Sequence, residues 1–128
     1  MGPPASPLSG LKVLVLEDET LVSFLAEDML KELGCAIVWQ ASGAQQALEL
    51  LDGCVPDGAV LDVNLAGGTA YPVAARLQAM QIPFVFATGY GRVLEPWSAH
   101  PVIAKPFKRA ELEAALILAL ASRKTRDP

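Results

Sequence analysis

Cysteine, basic charge and long apolar runs are what this chain has little of. Its 128 residues hold two cysteines, Cys35 and Cys54, neither in a C-x-x-C pair, so a dithiol motif is excluded and buried free thiols are expected. The longest apolar runs, "LKVLVL" and "AALILALA", are too short or too interrupted to cross a bilayer. No charged start followed by an apolar segment and a cleavage site marks export, so a cytoplasmic protein with no membrane partner is expected. A net charge of −4 argues against nucleic acid, which selects a basic face. The one basic cluster, Arg123, Lys124 and Arg126, sits where it complements the dipole of a last helix. The opening "MGPPAS" fits a loose myristoylation pattern through Gly2 and Ser6, but no second membrane signal follows it. Residues 1–9 read instead as a flexible Pro-rich leader, 10–122 as one domain, and 123–128 as a tail.

What is present is a globular composition, with 52% hydrophobic and 19% charged residues. "LKVLVLEDE" is a short apolar run ending abruptly in acids, the form of a strand buried on both faces. Val22, Leu25, Met29 and Leu33 then recur at helical spacing from Thr20, and Gly34 supplies the stop. "CAIVWQ" reads as a second strand. Ser42 with Gln45 resembles a capping box that opens a helix through Leu51. "DGAVLD" reads as a third strand, followed by a helix around Tyr71–Gln81, a fourth strand "PFVFAT" and a fifth, "PVIA". A last helix from about Arg109 to Ser122 would bury Leu112, Ala115, Leu116 and Ala119. Strand and helix alternate throughout, which predicts an α/β fold with a parallel sheet covered on both faces. In such sheets ligands gather at the carboxyl ends of the strands.

Glu17, Asp18, Asp62, Thr88 and Lys105 each stand at or just beyond such an end. Singly, each has an ordinary explanation: a turn or cap acid, a capped strand end, a solvated loop charge. Together they would converge if the first, third, fourth and fifth strands are neighbours. Three carboxylates in a small space raise their own pKa values unless a cation neutralises them. Oxygen-only ligands favour Mg²⁺, which prefers phosphate as a further ligand. Asp62 could then attack phosphorus and form an acyl phosphate, with Lys105 and Thr88 meeting other phosphoryl oxygens.

"LVLEDE", "VLDVNL", "FATGY" and "AKPF" resemble the receiver domain of two-component response regulators over about residues 10–122. The resemblance implies a flavodoxin-like (βα)5 sheet, order 2-1-3-4-5. It implies phosphorylation of Asp62 by a sensor histidine kinase or histidine phosphotransfer protein, with Mg²⁺ held by Glu17, Asp18, Asp62 and the backbone carbonyl of Asn64. It implies a cis Lys105–Pro106 bond that aims the lysine inward. Such receivers also form homodimers through the fourth helix and fifth strand. "PFVFATGYG" is similar to the single-domain subgroup named for its F-A-T-G-Y motif, which implies a shuttle or competitor without an output domain.

The pattern also departs from that family. Only 17 positions separate Thr88 from Lys105, and Pro96 falls among them, so a shortened or irregular fourth helix is expected. Val102 stands three residues before the lysine, where receivers commonly carry an aromatic. Tyr90, between Gly89 and Gly91, is therefore the candidate switch residue. Trp97 reads as a packed anchor or a partner-facing residue, and His100 as structural. Two rival functions remain. An aspartyl phosphohydrolase would need a proton donor where Asn64 stands. A binding module independent of phosphate would be expected to have lost several of the five residues, which are all present.

Overall fold

The computed structural model describes residues 6–89, 93 and 97–126. The elements in chain order are β1 (Lys12–Leu16), α1 (Thr20–Glu32), β2 (Ile37–Ala41), α2 (Ala44–Gly53), β3 (Gly58–Asp62), β4 (Asn64–Leu65), β5 (Gly68–Thr69), α3 (Tyr71–Ala79), β6 (Phe84–Thr88), β7 (Val102–Ala104) and α4 (Arg109–Arg126). Five strands form one parallel sheet in the order β2-β1-β3-β6-β7. With the short β4–β5 hairpin set aside, this is the expected 2-1-3-4-5 order. The order reverses between β1 and β3, which opens a crevice at the carboxyl edge.

The apolar runs need no polar alternation because the sheet is covered twice. In β1, Leu14 and Leu16 face a core shared with α2 and α3 through Ala47, Leu51, Val73, Ala74 and Leu77. Val13 and Val15 face the opposite core, closed by α1 and α4 through Ala26, Leu30, Leu112, Leu116 and Ala119. The same division separates Phe84 and Phe86 from Val85 and Ala87 in β6. Successive side chains of a strand point to opposite faces, so a strand in the middle of three layers must be apolar throughout.

Several local expectations are corrected. Helix α1 buries Ser23, Ala26 and Leu30, while Leu25 is 48% exposed. Small residues bring the helix close to the sheet and turn Leu25 outward. Helix α2 starts at Ala44 with Gly43 as its cap, one residue later than a Ser42 cap requires. Ser42 donates its backbone N–H and its hydroxyl to Gln46 Oε1, at 2.9 and 3.1 Å, and Gln45 turns instead to Glu49. Cys35 is buried, but Cys54 is only half-buried. Helix α4 buries the four expected residues and continues to Arg126. Among the described residues, a 3-10 turn at Trp97–Ala99 is the only helical piece between β6 and β7, and 90–92 and 94–96 lie outside them. Trp97 packs inward: it stacks on Tyr71, with ring centroids 6.2 Å apart and planes 8° apart, and meets Phe86 edge-on. His100 stacks on Phe84 at 4.4 Å, at the amino end of the strands and away from the acids.

Within the expected leader, residues 6–9 pack onto the domain. Leu8 is fully buried in the α1–α4 core, and the Ser6 hydroxyl donates to Glu113 on α4 at 2.6 Å. This segment runs so close to the end of α1 that a Cβ on Gly34, which has φ +91°, would lie 3.0–3.2 Å from Ser9. Leu8→Ala is therefore expected to lower stability by about 2–4 kcal/mol in urea unfolding. A flexible leader would show almost no loss.

Candidate functional site

The parallel register decides which side chains meet. Leu16 pairs with Leu61, Asp62 with Ala87, and Thr88 with Ala104, so each strand delivers its next polar residue to the same edge. Glu17 follows β1, Asp62 ends β3, Thr88 ends β6 and Lys105 follows β7. The Lys105 N–H donates to the Thr88 carbonyl at 2.8 Å, which extends the ladder one residue and fixes where the lysine leaves the sheet. The Lys105–Pro106 bond is cis.

The side chains converge as the spacing required. Glu17, Asp18 and Asp62 each bring a carboxylate oxygen within 4.8 Å of the others. Glu17, Asp62 and Thr88 are buried. The Lys105 ammonium donates to Glu17 at 2.9 Å, and lies 3.4 Å from Asp62 and 3.7 Å from Glu19. Asp18 accepts a 2.9 Å bond from the Ala66 N–H in the turn of the β4–β5 hairpin. That hairpin holds Asn64 beside Asp62, and the Ala70 N–H returns to the Val63 carbonyl at 3.1 Å, leading into α3. Asp62 and Lys105 thus lie in an open pocket walled by Asn64, Leu65, Ala66 and Gly89, with Asp18 and Glu19 also lining it. Tyr90, the expected switch residue, lies outside the described residues.

Charge is badly balanced here. Burial, and after it the neighbouring Glu17 carboxylate, push the Asp62 pKa from 3.8 up to about 7, against the opposing pull of Lys105. Burial alone would lower the Lys105 pKa, but the hydrogen bond and charge of Glu17, joined by Asp62, raise it instead. The ammonium therefore stays charged. A single cation cannot neutralise three carboxylates, and the oxygen-only donor set fits a hard divalent ion.

Two features escaped the sequence reading. Glu19 stands inside the quoted run "LKVLVLEDE", yet its approach to Lys105 depends on the first turn of α1. The hairpin's signal is Ala66-Gly67 between two-residue strands, too short to separate from a loop.

A doubly wound sheet with this acid, hydroxyl and lysine arrangement at its switch point belongs to a known class. Residues 13–117 match the family model for the response regulator receiver domain, and the chain belongs to that family. Its relatives include the transcriptional regulatory protein TcrA of Mycobacterium tuberculosis, 34% identical over 116 residues. That match covers 85% of this chain and 46% of TcrA. PdtaR of the same organism is 30% identical, over 85% of this chain and 56% of PdtaR. The chain thus spans about half the length of these curated relatives. Among solved structures, SdrG from Sphingomonas melonis Fr1 is 36% identical with a TM-score of 0.77, covering 93% of this chain and 99% of that one. The receiver domain of a modulated diguanylate cyclase from Desulfovibrio desulfuricans G20 has a TM-score of 0.81 at 25% identity, over 91% and 98% of the two chains.

The raised Asp62 pKa has a consequence for stability. Between pH 3.8 and about 7 the folded state keeps a proton that the unfolded chain releases, so stability falls as pH rises through that window. In EDTA at pH 8, Asp62→Asn is expected to stabilise the protein by about 2 kcal/mol. The gain should vanish near pH 4, as chemical denaturation at the two pH values would measure.

Proposed function

We propose that this receiver is a phosphoacceptor in a two-component phosphorelay and that Asp62 takes the phosphoryl group. The observation that carries the reading is the buried Asp62 carboxylate, flanked by Glu17 and Lys105 and opening on a pocket. An Asp62 oxygen attacks the phosphorus of a phosphohistidine on a sensor kinase or phosphotransfer protein. The phosphorus–nitrogen bond breaks, its electron pair returns to the imidazole, and an acyl phosphate remains on Asp62. Lys105 exchanges part of its contact with Glu17 for a phosphoryl oxygen, and the Thr88 hydroxyl donates to another.

Glu17, Asp18, Asp62 and the Asn64 carbonyl would hold Mg²⁺, whose charge offsets that of the transferring oxygens when it is bound. The protein's own part is then positioning. Asn64 lacks the acid that a phosphohydrolase needs to protonate its leaving group, which favours a signalling acceptor over an enzyme with turnover.

Output in this reading comes from changed protein contacts around residues 88–107, with Tyr90 as the candidate switch residue and a homodimer among its forms. As in the F-A-T-G-Y subgroup, the domain acts as a shuttle or competitor in the cytoplasm, through contacts with proteins rather than nucleic acid or membrane. Among the described residues, no helix is long and apolar enough to cross a membrane. Tyr90→Ala is expected to change partner affinity or phosphoryl lifetime, and unchanged values for both would remove Tyr90 from the mechanism. Incubation with Mg²⁺ and acetyl phosphate should add the mass of one phosphate to the wild type and none to Asp62→Asn. A gain that survives the substitution, or one absent from both proteins, contradicts the assignment.

A further inference from the structure

Glu19 stands apart from the other acids of the site. It caps α1 by position, with φ −88° and ψ 113°, yet its side chain makes no capping hydrogen bond. An acid at a helix start ordinarily bonds the free N–H groups of the first turn. Here the carboxylate lines the pocket instead, 3.7 Å from Lys105 and 67% exposed. Its backbone N–H donates to Glu17 Oε2 at 3.1 Å, and its carbonyl accepts the Ser23 N–H at 2.9 Å, so the backbone beneath the side chain is held.

Two roles fit a carboxylate in that place, and magnitudes separate them. As a holder of Lys105 it adds little, because an exposed pair at this distance is screened by solvent and Glu17 already binds the ammonium at 2.9 Å. As a charge at the pocket it matters more. Glu17, Asp18, Asp62 and Glu19 oppose the single ammonium of Lys105, which leaves three negative charges. A divalent cation on the first three acids reduces the excess to one, and Glu19 is the carboxylate outside that cluster.

We propose that Glu19 is a specificity-determining residue that disfavours small dianionic phosphodonors. This rests on the phosphoacceptor reading of Asp62. A free acyl phosphate must bring two negative charges past Glu19 with only the contacts of its own small phosphoryl group to offset the repulsion. A phosphohistidine carried on a protein docks through surface elsewhere, and that contact offsets the same penalty. Glu19 thereby biases the acceptor toward protein donors over metabolic acyl phosphates.

The test compares wild type with Glu19→Gln, using two donors at low and high salt with saturating Mg²⁺. Acetyl phosphate is a dianion near neutral pH, whereas phosphoramidate, protonated on nitrogen, is a net monoanion. Glu19→Gln should speed acetyl phosphate labelling about three- to tenfold at low ionic strength, and phosphoramidate labelling by less. The difference should shrink toward unity in 1 M salt, where charges more than about 3 Å apart are screened. The Mg²⁺ affinity, followed separately by calorimetry, should change less than the acetyl phosphate rate. Wild-type labelling with an equal or slower Glu19→Gln rate overturns the proposal, as does equal acceleration with both donors. A Mg²⁺ affinity that falls tenfold in Glu19→Gln would also overturn it, by making Glu19 part of the cation site. Absence of labelling in both proteins overturns the phosphoacceptor reading itself, and this inference with it.

Discussion

One ammonium among too many carboxylates is the constraint on which this molecule turns. Lys105 lies within 4 Å of Glu17, Asp62 and Glu19. Two of those acids are buried, where carboxylates repel most strongly and solvent helps least. The fold tolerates the crowding because its sheet is apolar on both faces, with a core against each, and concentrates polar groups at one edge. The stability needed to hold this edge together comes from packing elsewhere, and the imbalance suits the edge to a divalent cation. In the phosphoacceptor reading proposed above, stability and function are therefore opposed at Asp62.

The connections around that edge carry the rest of the design. The β4–β5 hairpin links the Asp62 strand to α3 and ties its turn to Asp18, so the acids and that helix are joined by a short continuous path. Thr88 ends a strand whose Phe84 and Phe86 belong to an aromatic group with Tyr71, Trp97 and His100. Tyr71 begins α3, and its stack on Trp97 joins that helix to the β6–β7 connection. The two routes away from the pocket thus meet at one aromatic face.

The alternation of strands and helices and the polar residues at the strand ends could be read from period and position, whereas the sheet order that brings Glu17, Asp18, Asp62, Thr88 and Lys105 together came from the resemblance of the four motifs to receiver domains. Buried strands ending in polar residues, alternating with helices, admit few arrangements. What could not be read depends on contacts between distant segments. Leu8 looks like part of a Pro-rich leader until α4 folds beneath it and Glu113 meets Ser6. Leu25 fits a helical stripe as well as Ala26 does, and the closeness of α1 to the sheet decides between them. The cap of α2 moved by one residue because Gln46, rather than Gln45, reaches back to Ser42. Glu19 was hidden by its company: beside Glu17 and Asp18 a third acid looks like more of the same, and the turn into α1 sends it to the lysine.

The excess negative charge at the sheet edge fits a divalent cation. This fit is tested most directly by urea unfolding at pH 8 over a range of MgCl2 concentrations, against NaCl of equal ionic strength. Stability is expected to climb logarithmically with Mg²⁺ once the site fills, and by much less in Asp18→Asn. A midpoint that Mg²⁺ shifts no further than matched sodium would contradict it.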